Sequence, residues 1–344
     1  MTHCKPPAAA SGYHEKWAVN MAAETHLLTD LETGQWQETF DLTAQNGPQL
    51  VGSTNWSINK HTLRGGVSDG IDVVAVDNGV LTFELLPTRG MGLWRGEIAG
   101  HPLGWSSPAV YPVHPAHVRI HERSGLGWLD GFNEWMCRCG ISSMGAPGLD
   151  VKTLPDGTTV ETELSLHGRI ANTPAHRVSI EIEDDGAGTI SLTGVMDEAC
   201  LFGPRLRLTS TTRTAAGAAS LQIVDEVINL SNQPAEFEIL YHTNVGRPWL
   251  DEGAKLLAAA PQIAAATADA GAAIERWSNY GAPTPGFAEH CYFFHPRAGD
   301  DGQAEVLLRN ARGDLGLAVR FPTDQLPCFT VWKRTAGEGD GYVT

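Results

Sequence analysis

The sequence predicts an all-β protein, and three observations carry that expectation. Short segments alternating apolar and polar residues recur from about residue 70 to the end, each closed by Gly, Asn, Asp or Pro. Helical periodicity is almost absent. The runs are long for strands and carry polar residues at every second position, the pattern of antiparallel sheets with one face packed and the other wet.

Taken in chain order, residues 1–60 show the pattern least and read as an N-terminal extension packed on a main domain spanning 61–344. IDVVAVDNGVLTFELLP, from Ile71, is the clearest hairpin, because Asp77-Asn78-Gly79 between two alternating runs marks a tight turn with positive φ. Residues 87–148, rich in Gly, Pro and Trp, read as long loops laid over a sheet. VETELSLHGRI, HRVSIEIEDDGAGTISLTGVMDE, LRLTSTTRT, SLQIVDEVINLSNQPAEFEILYHT, EVLLRNARGDLGLAVRF and PCFTVWKR resume the alternation. Residues 254–273 contain 11 alanines, a helical composition that Pro261 interrupts, so coil, strand and short helix all remain open there.

Composition narrows function. The chain of 344 residues has 24 basic and 40 acidic side chains, a formal charge of −16, which would repel nucleic-acid phosphate and anionic lipid alike. Hydrophobic residues make up 42%, enough for a large core without disulfides. The six cysteines, at 4, 137, 139, 200, 291 and 328, are too scattered for a secreted disulfide framework. With no apolar run long enough to span a bilayer and no signal-like N-terminus, the expected compartment is the cytoplasm.

The residues that could carry chemistry are few. Phosphate loops, dinucleotide fingerprints, serine-hydrolase elbows and zincin motifs are missing. His114, His117, His121 and Glu122 have a spacing reminiscent of metal ligands, but Pro112 and Pro115 break any helix that would align them, so no metal is expected. Cys137 and Cys139 would share one face of a strand, as core. His167 ends an alternating strand beside Gly168, where backbone room lets a ligand approach, although a hydrogen-bonded turn histidine fits as well. His242 ends another strand and could equally be a half-buried strand histidine. Arg89 sits in the glycine-flanked turn after a strand, suited to forking onto hydroxyls or a carboxylate, or to a structural salt bridge.

The blocks LPTRGMG (86–92), LGWSSP (103–108), LHG (166–168) and above all NLSNQPAEFEILYHTNVG (229–246) resemble the aldose 1-epimerase (galactose mutarotase) superfamily. CRCGISSMGAPG (137–148), PGFAEHCYFF (285–294) and LPCFTVWKR (326–334) resemble its DUF4432 branch, and the likeness runs from about residue 60 onward. This resemblance implies a large antiparallel β-sandwich of the galactose mutarotase-like type and a cofactor-free isomerase that opens and recloses a sugar ring. It places the general acid at His242, a hydroxyl-binding imidazole at His167 and a clamp at Arg89, with Asn172, Glu289 and Lys333 as further substrate-binding candidates. Trp94, Trp105 or Trp128 would supply an aromatic platform for a sugar's C–H face.

The branch further implies a basic glutamate in a Gly-Leu-Glu-Pro segment following a DGYVT strand, whereas this chain ends at Asp340–Thr344. From that ending the resemblance implies a domain short of its last strands, with Glu289 as the substitute base, and an impaired catalyst. A non-catalytic sugar-binding protein is therefore the alternative reading, and a lyase or isomerase reusing the cleft a third.

Overall fold

The computed structural model describes residues 23–344 other than 54, 154, 155, 202 and 338. Two large antiparallel sheets face one another. The first runs, in spatial order, Gln222–Asn229, Arg205–Ala215, Thr189–Ala199, Arg177–Glu183, Ala23–Asp30 and Gln35–Trp36. The second runs Glu238–Thr243, Met136–Ile141, Gly92–Ile98, Leu81–Leu86, Asp72–Asp77, Ser57–Thr62 and Phe40–Thr43, with His101–Leu103 paired beside Gly92–Ile98. This is the antiparallel β-sandwich that the alternation and the resemblance predict.

Period-two patterning decides which residues meet between the layers. Leu28, Val178, Ile180, Ile182, Ile190 and Leu192 of the first sheet share one core with Ile58, Val74, Val76, Phe83, Leu85 and Leu93 of the second. Each is nearly or wholly inaccessible to solvent, worth about 1.5–3 kcal/mol apiece relative to exposure. Two smaller sheets extend that core. Lys255–Ala258, Gln303–Arg309 and Gly316–Pro322 form one; Ile263–Ala265, His290–Phe294, Phe329–Thr335 and Tyr342–Val343 form the other. An exposed two-stranded ribbon, Gly148–Thr153 with Thr159–Leu164, stands apart from them.

Several local expectations meet the structure differently. Residues 23–60 of the presumed extension supply strands to both large sheets; residues 1–22, and Cys4 with them, lie outside the described residues. The stretch 87–148 is looped only in part, for it holds the strands Gly92–Ile98 and Met136–Ile141. Every residue of the latter is buried, so it shows no alternation to read. The alanine-rich stretch is strand at Lys255–Ala258 and Ile263–Ala265, then a short helix Ala268–Ala272 whose first turn Thr267 caps by accepting from the Ala270 N–H.

Two polar contacts fix the layers against one another. Arg138, on the inner side of the second sheet, forms a buried ion pair with Asp225 of the first and donates to the Met91 carbonyl at 2.8 Å. At the Asp77-Asn78-Gly79 turn, Gly79 takes φ +94 as the hairpin requires. Asn78, wholly buried, does more than turn the chain. Its Oδ1 accepts from the Val80 and Leu81 N–H groups, while its Nδ2 donates to Thr214 Oγ1 and to the Ala215 and Ala218 carbonyls of the opposite layer. Because Asn78→Ala strands several buried partners at once, urea unfolding should show a loss of about 2–4 kcal/mol. A loss below 1 kcal/mol would mean that the staple is dispensable.

Candidate functional site

The ribbon's second strand leads into a turn at Leu166–Arg169 that is stitched to the strand Met136–Ile141. His167 donates its N–H to Gly145 O at 2.9 Å and accepts from Gly140 N at 3.0 Å, and Arg169 N donates back to Gly140 O at 3.0 Å. A Cβ at Gly168 would lie 2.2 Å from the Ser143 carbonyl oxygen, so nothing larger fits behind the turn. His167 itself adopts φ +58, a left-handed conformation uncommon for a residue with a Cβ. The turn thus holds the imidazole against the neighbouring strand at a conformational cost.

His242 arrives from the edge strand Glu238–Thr243, where it pairs with Cys137. The register settles its side: Arg138 reaches the first sheet, so Cys137, Cys139 and His242 face outward, away from the sandwich core. There the His167 and His242 rings meet, centroids 5.3 Å apart and nearly perpendicular. Trp128 packs 4.9 Å from His167, and Phe132 and Trp332 lie 5.0 and 5.5 Å from His242. Both histidines are half-buried, and the His167 Nδ1 is buried without a hydrogen-bond partner. Burial pushes His242 down to about 4, against the favourable Asn244 contact, and pushes His167 down to about 3 with help from the charge His242 can carry. At neutral pH the pair is uncharged.

The other candidates separate. Arg89 does not face a ligand, because it is 1% exposed and its guanidinium is fully engaged. Nε donates to Glu134 Oε1 at 2.7 Å, Nη1 to Val113 O and Asn172 Oδ1 at 2.7 and 2.8 Å, and Nη2 to Gly131 O at 2.8 Å. The structural salt bridge is the reading that holds, and the clamp is corrected to a positioning role. Asn172 belongs with it, its amide oxygen given to Arg89. Lys333 also points elsewhere: buried on the opposite side of its strand from Trp332, it donates to the Arg276 and Asn279 carbonyls and lies over the Tyr280 ring. Glu289 is exposed and accepts from the Trp332 indole N–H at 2.8 Å, which places its carboxylate one residue from His242.

Of the three tryptophans, Trp128 touches the pair directly, Trp105 is one ring removed, 5.1 Å from Phe132, and Trp94 packs with Ile71, Val73 and Leu86 under the Arg95 guanidinium. Sequence reasoning missed Phe132, Trp332 and Glu134. GFNEW and TVWKR place them beside recognisable segments, but only the fold shows which neighbour faces inward. Among the described residues no group of three or more His, Cys, Asp or Glu side chains is arranged to hold a metal ion; His114 and His117 lie 6.4 Å apart, ring to ring. No helix of the described residues is long and apolar enough to cross a membrane.

Two stability measurements check this arrangement. Arg89→Met leaves the buried Glu134 carboxylate without its cation and should cost about 3–5 kcal/mol, and adding Glu134→Gln should recover part of that loss. Additive losses would show that the two side chains act independently. The second concerns pH. An imidazole of ordinary value 6.5 that falls to about 4 on folding stays neutral in the native state while the unfolded chain takes up a proton. That stabilisation is complete above about pH 6.5 and disappears as pH falls toward 4. Replacing His242 by Gln should therefore remove about 2 kcal/mol of the stability difference between pH 7 and pH 4.5, read from urea midpoints; an unchanged difference would show that the ring titrates alike in both states.

Comparison with known proteins gives the same picture from outside. The family model described as a domain of unknown function, DUF4432, matches residues 68–344. Among solved structures, a protein described as a "putative aldose 1-epimerase", from Klebsiella pneumoniae subsp. pneumoniae, superimposes with a TM-score of 0.85 at 33% identity, over 94% of this chain and 81% of that one. No curated protein matches. The chain therefore belongs to the DUF4432 family, within the galactose mutarotase-like superfamily.

Proposed function

We propose that the protein binds a sugar at the His167–His242 pair and interconverts its anomers by acid–base ring opening. The observation that carries this reading is the meeting of two half-buried histidines, 75 residues apart in the chain, at a ring separation of 5.3 Å inside an aromatic frame. Mutarotation asks for one group to protonate the pyranose ring oxygen and another to take the anomeric hydroxyl proton, with an apolar surface for the ring's C–H face. Trp332, half-buried, can offer that surface, while Trp128 and Phe132 are buried and back the pair.

In this reading His242, lowered by burial to about 4, is the acid, and His167, lowered by burial to about 3, is the neutral imidazole that accepts the hydroxyl proton. As the sugar recloses on the other face the protons return, and each ring is restored. Glu289 holds Trp332 in place through its indole N–H, a positioning role that leaves the pair sufficient without a further carboxylate. A binding protein without turnover is the second reading, favoured by the scarcity of charged His242 at neutral pH.

Polarimetry on freshly dissolved α-D-glucose and α-D-galactose separates these readings. The chain should speed equilibration above the spontaneous rate, and His242→Gln should remove about 10²–10⁴-fold of the enzymatic rate while retaining sugar affinity. Since the working form of His242 is protonated, the rate should climb as pH falls from 8 toward 5, and the climb should vanish in the variant. A rate that falls over that range would remove His242 as the acid. Sugar binding with no acceleration would leave the binding-only reading.

A further inference from the structure

The ribbon of Gly148–Thr153 and Thr159–Leu164 is a separate two-stranded sheet, and among the described residues neither of its outer edges is paired. Apart from Asp150 and Leu164, every residue of its strands is exposed. Its base is tied to the body of the protein where the Leu166 N–H donates to Gly125 O at 2.8 Å, one residue before His167. A hairpin wet on both faces and along both edges is marginal on its own. Leu149 and Val151 share one face of it, 56% and 53% exposed, and form an apolar stripe open to water.

The two edges differ in what they can meet. A second copy related by a two-fold axis perpendicular to the ribbon pairs an edge with itself, antiparallel, and the residue at the axis lies opposite its own copy. For Thr159–Leu164, a register centred on Glu161, Thr162 or Glu163 sets glutamate against glutamate, which opposes pairing. For Gly148–Thr153, the register centred on Val151 sets Val151 against Val151, Asp150 against Lys152 and Lys152 against Asp150. Asp150 and Lys152 already lie on one face, their carboxylate and ammonium 3.2 Å apart, so the two copies close a ring of alternating charges. On the other face the two Leu149–Val151 stripes come side by side and cover one another.

We infer that Gly148–Thr153 pairs with the same strand of a second copy of the chain, so that two ribbons merge into one four-stranded antiparallel sheet and the protein is a two-fold dimer. The backbone N–H and C=O groups of the free edge supply the ladder, and the Asp150–Lys152 pairs fix its direction and register. Dimerisation anchors the ribbon from outside, and with it the strand that leads into the Leu166–Arg169 turn.

Sedimentation velocity on the full chain tests this. The chain should sediment as a dimer that dissociates on dilution over about a hundredfold range of concentration. Asp150→Lys and Lys152→Asp each set like charges across the axis, and each should weaken dimerisation by about tenfold or more. Mixing the two variants sets the cations of one copy against the anions of the other, so a heterodimer should form with the strength of the unaltered chain. The double exchange, Asp150→Lys with Lys152→Asp, should dimerise with itself, and far-UV circular dichroism checks that every variant is folded. A chain that stays monomeric, a dimer indifferent to both single exchanges, or two weakened variants that do not recover on mixing would each overturn the inference.

Discussion

The buried Arg89 guanidinium is the constraint on which the site's geometry depends. It gathers the carbonyls of Val113 and Gly131, the Glu134 carboxylate and the Asn172 amide oxygen around one planar cation. Those four partners belong to the long segment over the outer face and to the turn that follows His167. Without a cation between them, a carboxylate and three carbonyl-type oxygens would converge in a space that excludes water. The ion therefore fixes where Trp128, Phe132 and the His167 turn can sit, and it does so without touching a ligand.

How far the sequence discloses this depends on the scale asked about. The sheets are legible because burial on one side writes itself as alternation, as in residues 72–86. The strand Met136–Ile141 is hidden because it is covered on both sides, and its Gly140 and Arg138 look like loop and surface residues. At the site, resemblance points to strands and turns but not to the faces their side chains occupy. Lys333 and Trp332 are adjacent on one strand, so one faces the imidazoles and the other the Tyr280 ring; a motif that spans both cannot choose. Arg89 is similar, since a guanidinium in a glycine turn suits a ligand or a salt bridge equally until its acceptors are seen. Phe132 needs the tertiary path of the outer loop and leaves no local signal.

The environment of the histidines is also a product of the architecture rather than of their own neighbours in sequence. An edge strand and a tight turn deliver them to a surface already apolar, where water is replaced by indole and phenyl rings. Low dielectric then does to both what it does to any buried base, and it does slightly more to the one that feels the other's charge.

The packing of Trp128 and Trp332 against this pair has an optical consequence. Imidazolium quenches indole emission by accepting charge from the excited ring, whereas neutral imidazole does so weakly, and here two indoles lie within contact of rings that are neutral at rest. The protein carries its own fluorophores at the place of interest. Proton arrival at either histidine, or displacement of solvent by a bound molecule, becomes visible as a change in intrinsic emission with no label attached.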